Sequence, residues 1–103
     1  MSFSVNIEFL DIAKLEFDEA IAYYEKESEG LGHRFKNEIK SSVDMIIQFP
    51  TLYPFFIDDI RKCVSHTFPY SIFYVLRDDV IVIYAIANHF KNPQHYVQRF
   101  SRA

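Results

Sequence analysis

Three strand-like runs in the second half of the chain, residues 60–66, 70–77 and 80–88, constrain the fold more than any other feature. The connections between them are short turn segments, Thr67-Phe68-Pro69 and Asp78-Asp79. The middle and last runs are apolar on both faces, as expected for strands buried inside a sheet. We therefore predict an antiparallel meander with residues 70–77 at its centre, and we expect most of the preceding chain to cover it.

The chain begins with a predicted strand and helix. Residues 3–9 alternate apolar and polar side chains, which is typical of a half-buried strand. The side chains expected to face the core are Phe3, Val5, Ile7 and Phe9. Asp11 is the predicted N-cap of a helix of about 17 residues, and Gly30 supplies the helix stop.

Residues 32–48 predict a second helix, because apolar side chains recur at three- and four-residue steps until Pro50 ends the pattern. The short connection at Gly30 and Gly32 makes the two helices an antiparallel hairpin. Residues 50–59 are predicted to be a connection, and their aromatic side chains are expected to lie against the core or on a partner surface.

A short terminal helix is predicted in the tail, with Asn92 as N-cap and Pro93 as first helical residue. The predicted order is therefore β-α-α-β-β-β plus a helical tail. This is an α+β fold in which a helical hairpin packs on a mostly antiparallel sheet. At 103 residues, half of them hydrophobic, we expect one domain over residues 1–103.

The net charge of −3 is unevenly distributed. Residues 1–58 carry five basic and eleven acidic side chains, whereas residues 59–103 carry six basic and three acidic ones. An acidic domain is a poor general binder of nucleic-acid backbone, although a local basic patch in the C-terminal part is compatible with these numbers. The cationic candidates for binding are Arg61, Lys62, Arg77, Lys91 and Arg99, together with Arg102. The alternative is that they only solvate the sheet and tail.

Other features exclude several classes of site and location. Cys63 is the only cysteine, so an internal disulfide is excluded, and we expect it to be a small buried hydrophobic residue.

No metal-ligand spacing and no Gly-rich phosphate loop is present, so we predict neither a metal nor a cofactor. The N-terminus lacks the pattern of a signal peptide, and no apolar run reaches the ~20 residues of a membrane span. We predict a cytoplasmic protein.

Four segments, in this order, give the chain a resemblance to a known family: Ala20-Ile21-Ala22-Tyr23-Tyr24-Glu25; Gly30-Leu31-Gly32-His33-Arg34-Phe35; Ile60-Arg61-Lys62 followed by Phe68-Pro69-Tyr70-Ser71-Ile72-Phe73-Tyr74; and Ala85-Ile86-Ala87-Asn88-His89-Phe90-Lys91-Asn92-Pro93. They resemble the RelE/ParE superfamily, the toxin components of bacterial type II toxin–antitoxin pairs. The resemblance covers nearly the whole chain and implies a toxin that a cognate antitoxin neutralises. RelE-like members cleave mRNA on the ribosome, whereas ParE-like members inhibit DNA gyrase.

The resemblance also implies which residues a nuclease of this type would use. Lys62 matches a strand lysine, Lys91 stands where an arginine follows the last strand, and Tyr96 lies near a tail tyrosine. Val64 and Ser71 occupy positions where such enzymes carry basic residues. A lysine also lacks the bidentate fork of arginine.

Two histidines offer a different route to acid–base chemistry. Histidine is the residue type whose unperturbed side chain titrates near neutrality. His66 and His89 lie at the ends of predicted strands, where strand alternation would put His66 on the same face as Lys62, and His89 lies close to Lys91 in sequence. The alternative is that both are ordinary polar residues at strand ends.

Three functional hypotheses remain open. The favoured one is a ParE-like toxin, part of a plasmid-stabilisation type of system, that inhibits gyrase through protein–protein contact. The second is a ribosome-dependent mRNA endonuclease that uses Lys62, His66, His89, Lys91 and Tyr96. The third is a module that binds the antitoxin and has lost toxicity. We expect the antitoxin to carry a segment that folds on an exposed sheet edge or face, and residues 52–57 are a candidate for part of that surface.

Overall fold

The computed structural model describes residues 6–101. Within that range the elements are β1 (Asn6–Phe9), α1 (Asp11–Glu27), α2 (Leu31–Gln48), β2 (Phe55–Ile57), β3 (Ile60–Val64), β4 (Tyr70–Arg77), β5 (Val80–Asn88) and α3 (Pro93–Ser101). The strands form one sheet in the order β1-β5-β4-β3-β2. Strand β1 is parallel to β5 and the other pairs are antiparallel. The predicted α+β fold, with its meander, helical hairpin and helical tail, is confirmed.

Strand β4 is the centre of the sheet because it is buried on both faces. Its first six residues are buried, and it pairs with β3 on one side and β5 on the other. Ile72 and Tyr74 face the hairpin of α1 and α2, whereas Phe73 and Val75 face α3. This alternation is the ordinary consequence of strand geometry. The sheet is therefore covered on both faces, and the tail helix closes the second one.

A β-bulge in β5 decides which of its residues face α3. Phe73 pairs with Ala85 and Tyr74 pairs with Ile83, so Tyr84 is an extra residue in β5. Ile83 lies before the bulge and faces the hairpin, whereas Ala85 and Ala87 lie after it and face α3. An extra residue reverses the alternation of the strand beyond it. In the last part of β5 the odd-numbered residues therefore face α3.

The two helices of the hairpin meet through a close backbone approach at Gly32. A Cβ atom at this position would lie 2.6 Å from the Ile21 carbonyl oxygen and 2.9 Å from Glu25 Cβ. The Glu25 carboxylate accepts hydrogen bonds from the backbone N–H groups of Gly30 and Gly32. Gly30 itself has a φ of 85°, which favours glycine. The N-terminus of α2 is thus satisfied by a side chain of α1.

Three sequence-based boundaries are corrected. Leu10 is the N-cap residue of α1 and makes no capping hydrogen bond through its side chain, while Asp11 is already helical. An acidic side chain is favourable throughout the first helical turn, so composition alone does not separate the two positions. The second helix begins at Leu31. Strand β3 ends at Val64, because the Glu38 carboxylate binds the turn that follows, accepting hydrogen bonds from the Thr67 and Phe68 N–H groups.

The predicted connection at residues 50–59 contains a strand. β2 pairs with β3 at the edge of the sheet, with Phe55 opposite Arg61 and Ile57 opposite Ile60. A three-residue strand is too short to show an alternating pattern, so the sequence did not reveal it. Phe56 and Ile57 pack against the core on the α3 face, as expected for this aromatic segment. Of the predicted first strand, Ile7 and Phe9 pack against the hairpin core, while Phe3 and Val5 lie outside the described residues.

Candidate functional site

A cleft of about 180 Å³ lies on the α3 face, where β4, the end of β5 and the start of α3 meet. We call it the α3 cleft. It is lined by Phe56, Lys62, Ser71, Phe73, Ala87, Asn88, His89, Lys91, Pro93 and Tyr96. Four of the five residues predicted for a nuclease site, Lys62, His89, Lys91 and Tyr96, are therefore brought together.

Lys62 enters the cleft from β3 across aromatic rings. Its Nζ atom lies 5.7 Å from the Phe56 ring centroid and 5.9 Å from that of Phe73. A cation over the face of an aromatic ring is stabilised by the ring quadrupole, and the lysine stem packs on the same surface. The two phenylalanines therefore hold the ammonium group at the cleft.

The floor of the cleft contains a hydrogen-bonded pair that the sequence did not reveal. Ser71 is 1% exposed, and its Oγ atom lies 2.7 Å from Nε2 of His89. The bulge in β5 brings His89 to this face, because an uninterrupted strand would direct odd-numbered residues to the hairpin. Desolvation lowers the pKa of His89, and the charge of Lys62 adds to this, although a backbone hydrogen bond at Tyr70 opposes it. The lowered pKa favours the neutral form of the imidazole at pH 7.

Tyr96 closes the cleft from the first turns of α3. That helix begins as predicted, since Asn92 Oδ1 accepts a hydrogen bond of 3.0 Å from the Gln94 N–H group. Tyr96 is 4% exposed, and its ring packs against that of Phe73 at a tilt of 32°, with the centroids 5.8 Å apart. Desolvation raises its pKa, the charge of Glu16 raises it further, and the Asn88 backbone and Arg99 oppose the shift. The phenol is therefore protonated near neutrality and acts as a hydrogen-bond donor.

Helix α3 is fixed by an ion pair beside the cleft. Arg99 Nη1 lies 2.8 Å from Glu16 Oε2, and the two side chains are 16% and 15% exposed. Arg99 also donates to the Tyr84 carbonyl, and Glu16 accepts the Ile86 N–H group at 3.1 Å. Strand β1 ends opposite Ile83, so this pair satisfies backbone groups of β5 that no strand of the described range covers. The donors of Arg99 are engaged within the chain.

The remaining predicted residues lie elsewhere. His66 is exposed and borders a groove between α2 and β3, so it does not share a site with Lys62. Strand β3 ends at Val64, two residues before His66, so the strand alternation that predicted a shared face does not extend to His66. Arg61 donates to the carbonyls of Thr51 and Tyr53 at the β2 edge. Arg77 is exposed at the far end of β4, with one hydrogen bond to the Tyr84 hydroxyl.

Comparison with known proteins identifies the family. The family model of the ParE toxin of type II toxin–antitoxin systems (parDE) matches residues 7–93. The chain belongs to this family. The predicted membership of the RelE/ParE superfamily, closer to ParE, is confirmed. No curated protein sequence matches the chain significantly.

Solved toxin structures share the fold of this ParE-family toxin at low sequence identity. The chromosomal ParDE system of P. aeruginosa superposes with a TM-score of 0.71 at 16% identity, covering 84% of this chain and 98% of that one. The intact RelBE complex of E. coli gives 0.65 at 14% identity, covering 85% and 100%. The isolated RelE toxin of E. coli gives 0.56 at 12% identity, covering 96% and 98%. At these identities the likeness describes the fold alone.

Three further observations concern metal binding, membrane spans and the single cysteine of this ParE-family toxin. Within residues 6–101, no group of three His, Cys, Asp or Glu side chains is arranged to hold a metal ion. None of the helices in that range is long and apolar enough to cross a membrane. Cys63 is buried, and burial raises the pKa of its thiol, which agrees with its predicted role as a small hydrophobic residue.

Sequence reasoning missed two residues at the cleft. Ser71 was noted only because it replaces a basic residue, and its pairing with His89 depends on strand register. Phe90 lies in the turn between His89 and Lys91, two residues that line the cleft, and 85% of its surface is exposed. Its position in the segment His89-Phe90-Lys91, an aromatic residue flanked by basic ones, is the only signal in the sequence that marked it.

Proposed function

We propose that this ParE-family toxin acts by protein–protein inhibition of DNA gyrase and that a cognate antitoxin neutralises it. The observation that carries the proposal is the hydrogen bond between Ser71 Oγ and His89 Nε2. Ser71 stands where the resemblance implies an arginine in a nuclease, and here its hydroxyl is paired with an imidazole instead.

RNA cleavage through a 2′-hydroxyl requires a proton acceptor, a proton donor and cations that stabilise the phosphate. His89 already uses Nε2 for Ser71, and Tyr96 is buried and protonated. Among residues 6–101, Lys62 and Lys91 are the only ammonium groups that line the cleft. The cleft volume of about 180 Å³ is below the ~300 Å³ at which small-ligand sites usually begin. These features favour a toxin that works through surface contact.

The proposed antitoxin contact lies at the β2 edge. Leu52 and Phe55 are 65% and 58% exposed there, and Arg61 lies 3.9 Å above the Phe55 ring. An exposed sheet edge with apolar side chains suits an added segment that folds on binding. The double substitution Leu52→Ala/Phe55→Ala should abolish antitoxin binding. The control Leu15→Ala, on α1, should leave it unchanged. Unchanged affinity would move the contact elsewhere.

The target is tested with purified proteins and in cells. Purified wild-type chain should inhibit the supercoiling of relaxed plasmid by gyrase, and added antitoxin should restore it. Induction of the chain alone should arrest growth while mRNA remains intact. Because gyrase acts in the cytoplasm, cell fractionation should find the toxin there. Normal growth with folded protein present would instead indicate a module that has lost toxicity.

A second candidate function is ribosome-dependent mRNA cleavage. The observation in its favour is that Lys62, His89, Lys91 and Tyr96 line one cleft. Transcripts cut at ribosomal A-site positions after induction would support it and contradict gyrase inhibition. In that case Lys62→Ala or Lys91→Ala should lower cleavage by about 100-fold or more. Lys40→Ala, an exposed change on α2, is the matched control.

A further inference from the structure

Phe90 is the most exposed large apolar side chain in the described part of the chain. It is 85% exposed, whereas the next, Leu52, is 65% exposed. Isolated apolar residues on a surface are common, so exposure alone does not identify a binding residue. What distinguishes Phe90 is the way the backbone around it is held.

Hydrogen bonds fix the chain on both sides of Phe90. Asn88 Oδ1 accepts the Phe90 N–H group at 2.8 Å, and the Asn88 carbonyl accepts the Lys91 N–H group at 3.2 Å. The His89 N–H group donates to the Pro69 carbonyl at 2.8 Å, while its imidazole holds Ser71. The ring is thus presented outward by an ordered turn. A turn whose backbone is already ordered loses little conformational freedom on binding.

The charges around Phe90 are mixed. Lys62 and Lys91 border the cleft beside it, and His89 between them is neutral for the reasons given above. On the other side, Lys91 shares a groove with Glu16 and Glu19. Glu16 is paired with Arg99, so the net surface near the ring is weakly positive with a carboxylate close by. This pattern complements carboxylates placed around an apolar pocket.

We propose that Phe90 is the anchor through which the toxin binds its protein target, entering an apolar pocket whose rim carries acidic side chains. The inference rests on the proposed inhibition of gyrase and names the contact residue for it. Aromatic residues that fill a pocket at the centre of an interface commonly dominate binding energy. Lys62 and Lys91 steer the approach and face the acidic rim.

A nucleic-acid partner would use the same ring differently, by stacking it on a base while cations hold the phosphates. Affinity for nucleic acid depends mainly on neutralising phosphates. In the described part of the chain only two ammonium groups border the cleft, and Glu19 shares a groove with one of them. The chain as a whole carries a net charge of −3. The charges therefore favour a protein pocket over a single strand.

The test compares Phe90→Ala with Phe49→Ala, the same substitution at the C-terminal end of α2, which packs on the other face of the sheet. Phe90 is 85% exposed and Phe49 is 49% exposed, so both variants should remain folded, which their thermal unfolding checks. The measurements are affinity for immobilised gyrase and inhibition of supercoiling. Phe90→Ala should weaken both by about 30-fold or more, the loss that defines a hot spot. Phe49→Ala should stay within about threefold of the wild type.

The possible results separate this inference from the proposed function. If wild-type toxin binds gyrase and Phe90→Ala binds equally well, the anchor is refuted and gyrase inhibition stands. If wild-type toxin neither binds nor inhibits gyrase, both fail. If Phe90→Ala weakens binding to a single-stranded oligonucleotide while gyrase inhibition is unchanged, the ring serves nucleic acid and the anchor is again refuted.

Discussion

The ion pair between Glu16 and Arg99 should carry much of the stability with which α3 is attached to the sheet. Replacement of Arg99 by methionine keeps an apolar stem beside Tyr96 and Phe100 but removes the guanidinium. The substitution leaves the Glu16 carboxylate without its cation, at a position where that side chain is 15% exposed. It also leaves the Tyr84 carbonyl without its donor.

The expected loss follows from the geometry. At 2.8 Å, with an effective dielectric constant of ~20, the Coulomb attraction is about 6 kcal/mol before desolvation of the two charges is counted. Removal of one partner of a largely buried pair typically costs about 3 to 5 kcal/mol. Because both side chains keep some exposure, we expect about 3 kcal/mol for Arg99→Met. That corresponds to a decrease in Tm of about 12 to 24 °C for a domain of this size.

Urea unfolding followed by far-UV circular dichroism measures this loss, since the chain has no tryptophan. Glu16→Gln should also destabilise the protein, and the double variant should be more stable than additivity predicts, with a coupling of about 2 kcal/mol. Amide hydrogen exchange should accelerate in α3 before it does in β4. Arg77→Met is the matched control, because Arg77 is exposed and has one hydrogen bond.

A loss of less than about 0.5 kcal/mol for Arg99→Met, the value of an exposed surface pair, would refute a stabilising role for the Glu16–Arg99 ion pair. Equal losses for Arg99→Met and Arg77→Met would have the same meaning. Either result would show that the aromatic contacts of Tyr96 and Phe100 hold α3 without the ion pair.

Three other predictions concern the scaffold. Partial burial by itself raises the pKa of Glu38, but hydrogen bonds from Ser65, Thr67 and Phe68 lower it from 4.5 to about 2. The stabilisation by ionised Glu38 is therefore present above pH 4.5 and is lost as the pH falls towards about 2. Between these pH values the free energy of unfolding of the wild type should fall by about 1 to 2 kcal/mol more than that of Glu38→Gln, as measured by urea unfolding at each pH. Gly32→Ala should lower the free energy of unfolding by about 1 to 3 kcal/mol, because the new Cβ atom would lie 2.6 Å from the Ile21 carbonyl oxygen. Gly30→Ala has space for its Cβ atom, so only its positive φ angle would destabilise the protein. Cys63 should react with a thiol reagent about 100-fold more slowly in the native protein than in urea, because it is 3% exposed and burial raises the pKa of its thiol. A native protein that reacts as fast as the unfolded one would contradict the burial of Cys63.

Much of the fold follows from local patterns. The runs at 70–77 and 80–88 are so continuously apolar that only buried strands accommodate them, and both strands are observed. The helical hairpin follows from the spacing of residues such as Phe35 and Ile39, with glycines where the helices meet. The terminal helix starts at Pro93 because Asn92 caps it. The short strand at Phe55–Ile57 escaped prediction because three residues carry no period.

The site depended on more than local pattern. Sequence by itself determined which chemistry is present near the meander, including Lys62, His89, Lys91 and Tyr96. Tertiary structure decided that these four meet, that His66 does not join them, and that Arg99 is used internally. The physical reason is register: one extra residue at Tyr84 reverses the faces of β5 and turns His89 towards Ser71. Such a reversal arises from pairing between strands, which no property of a single strand encodes.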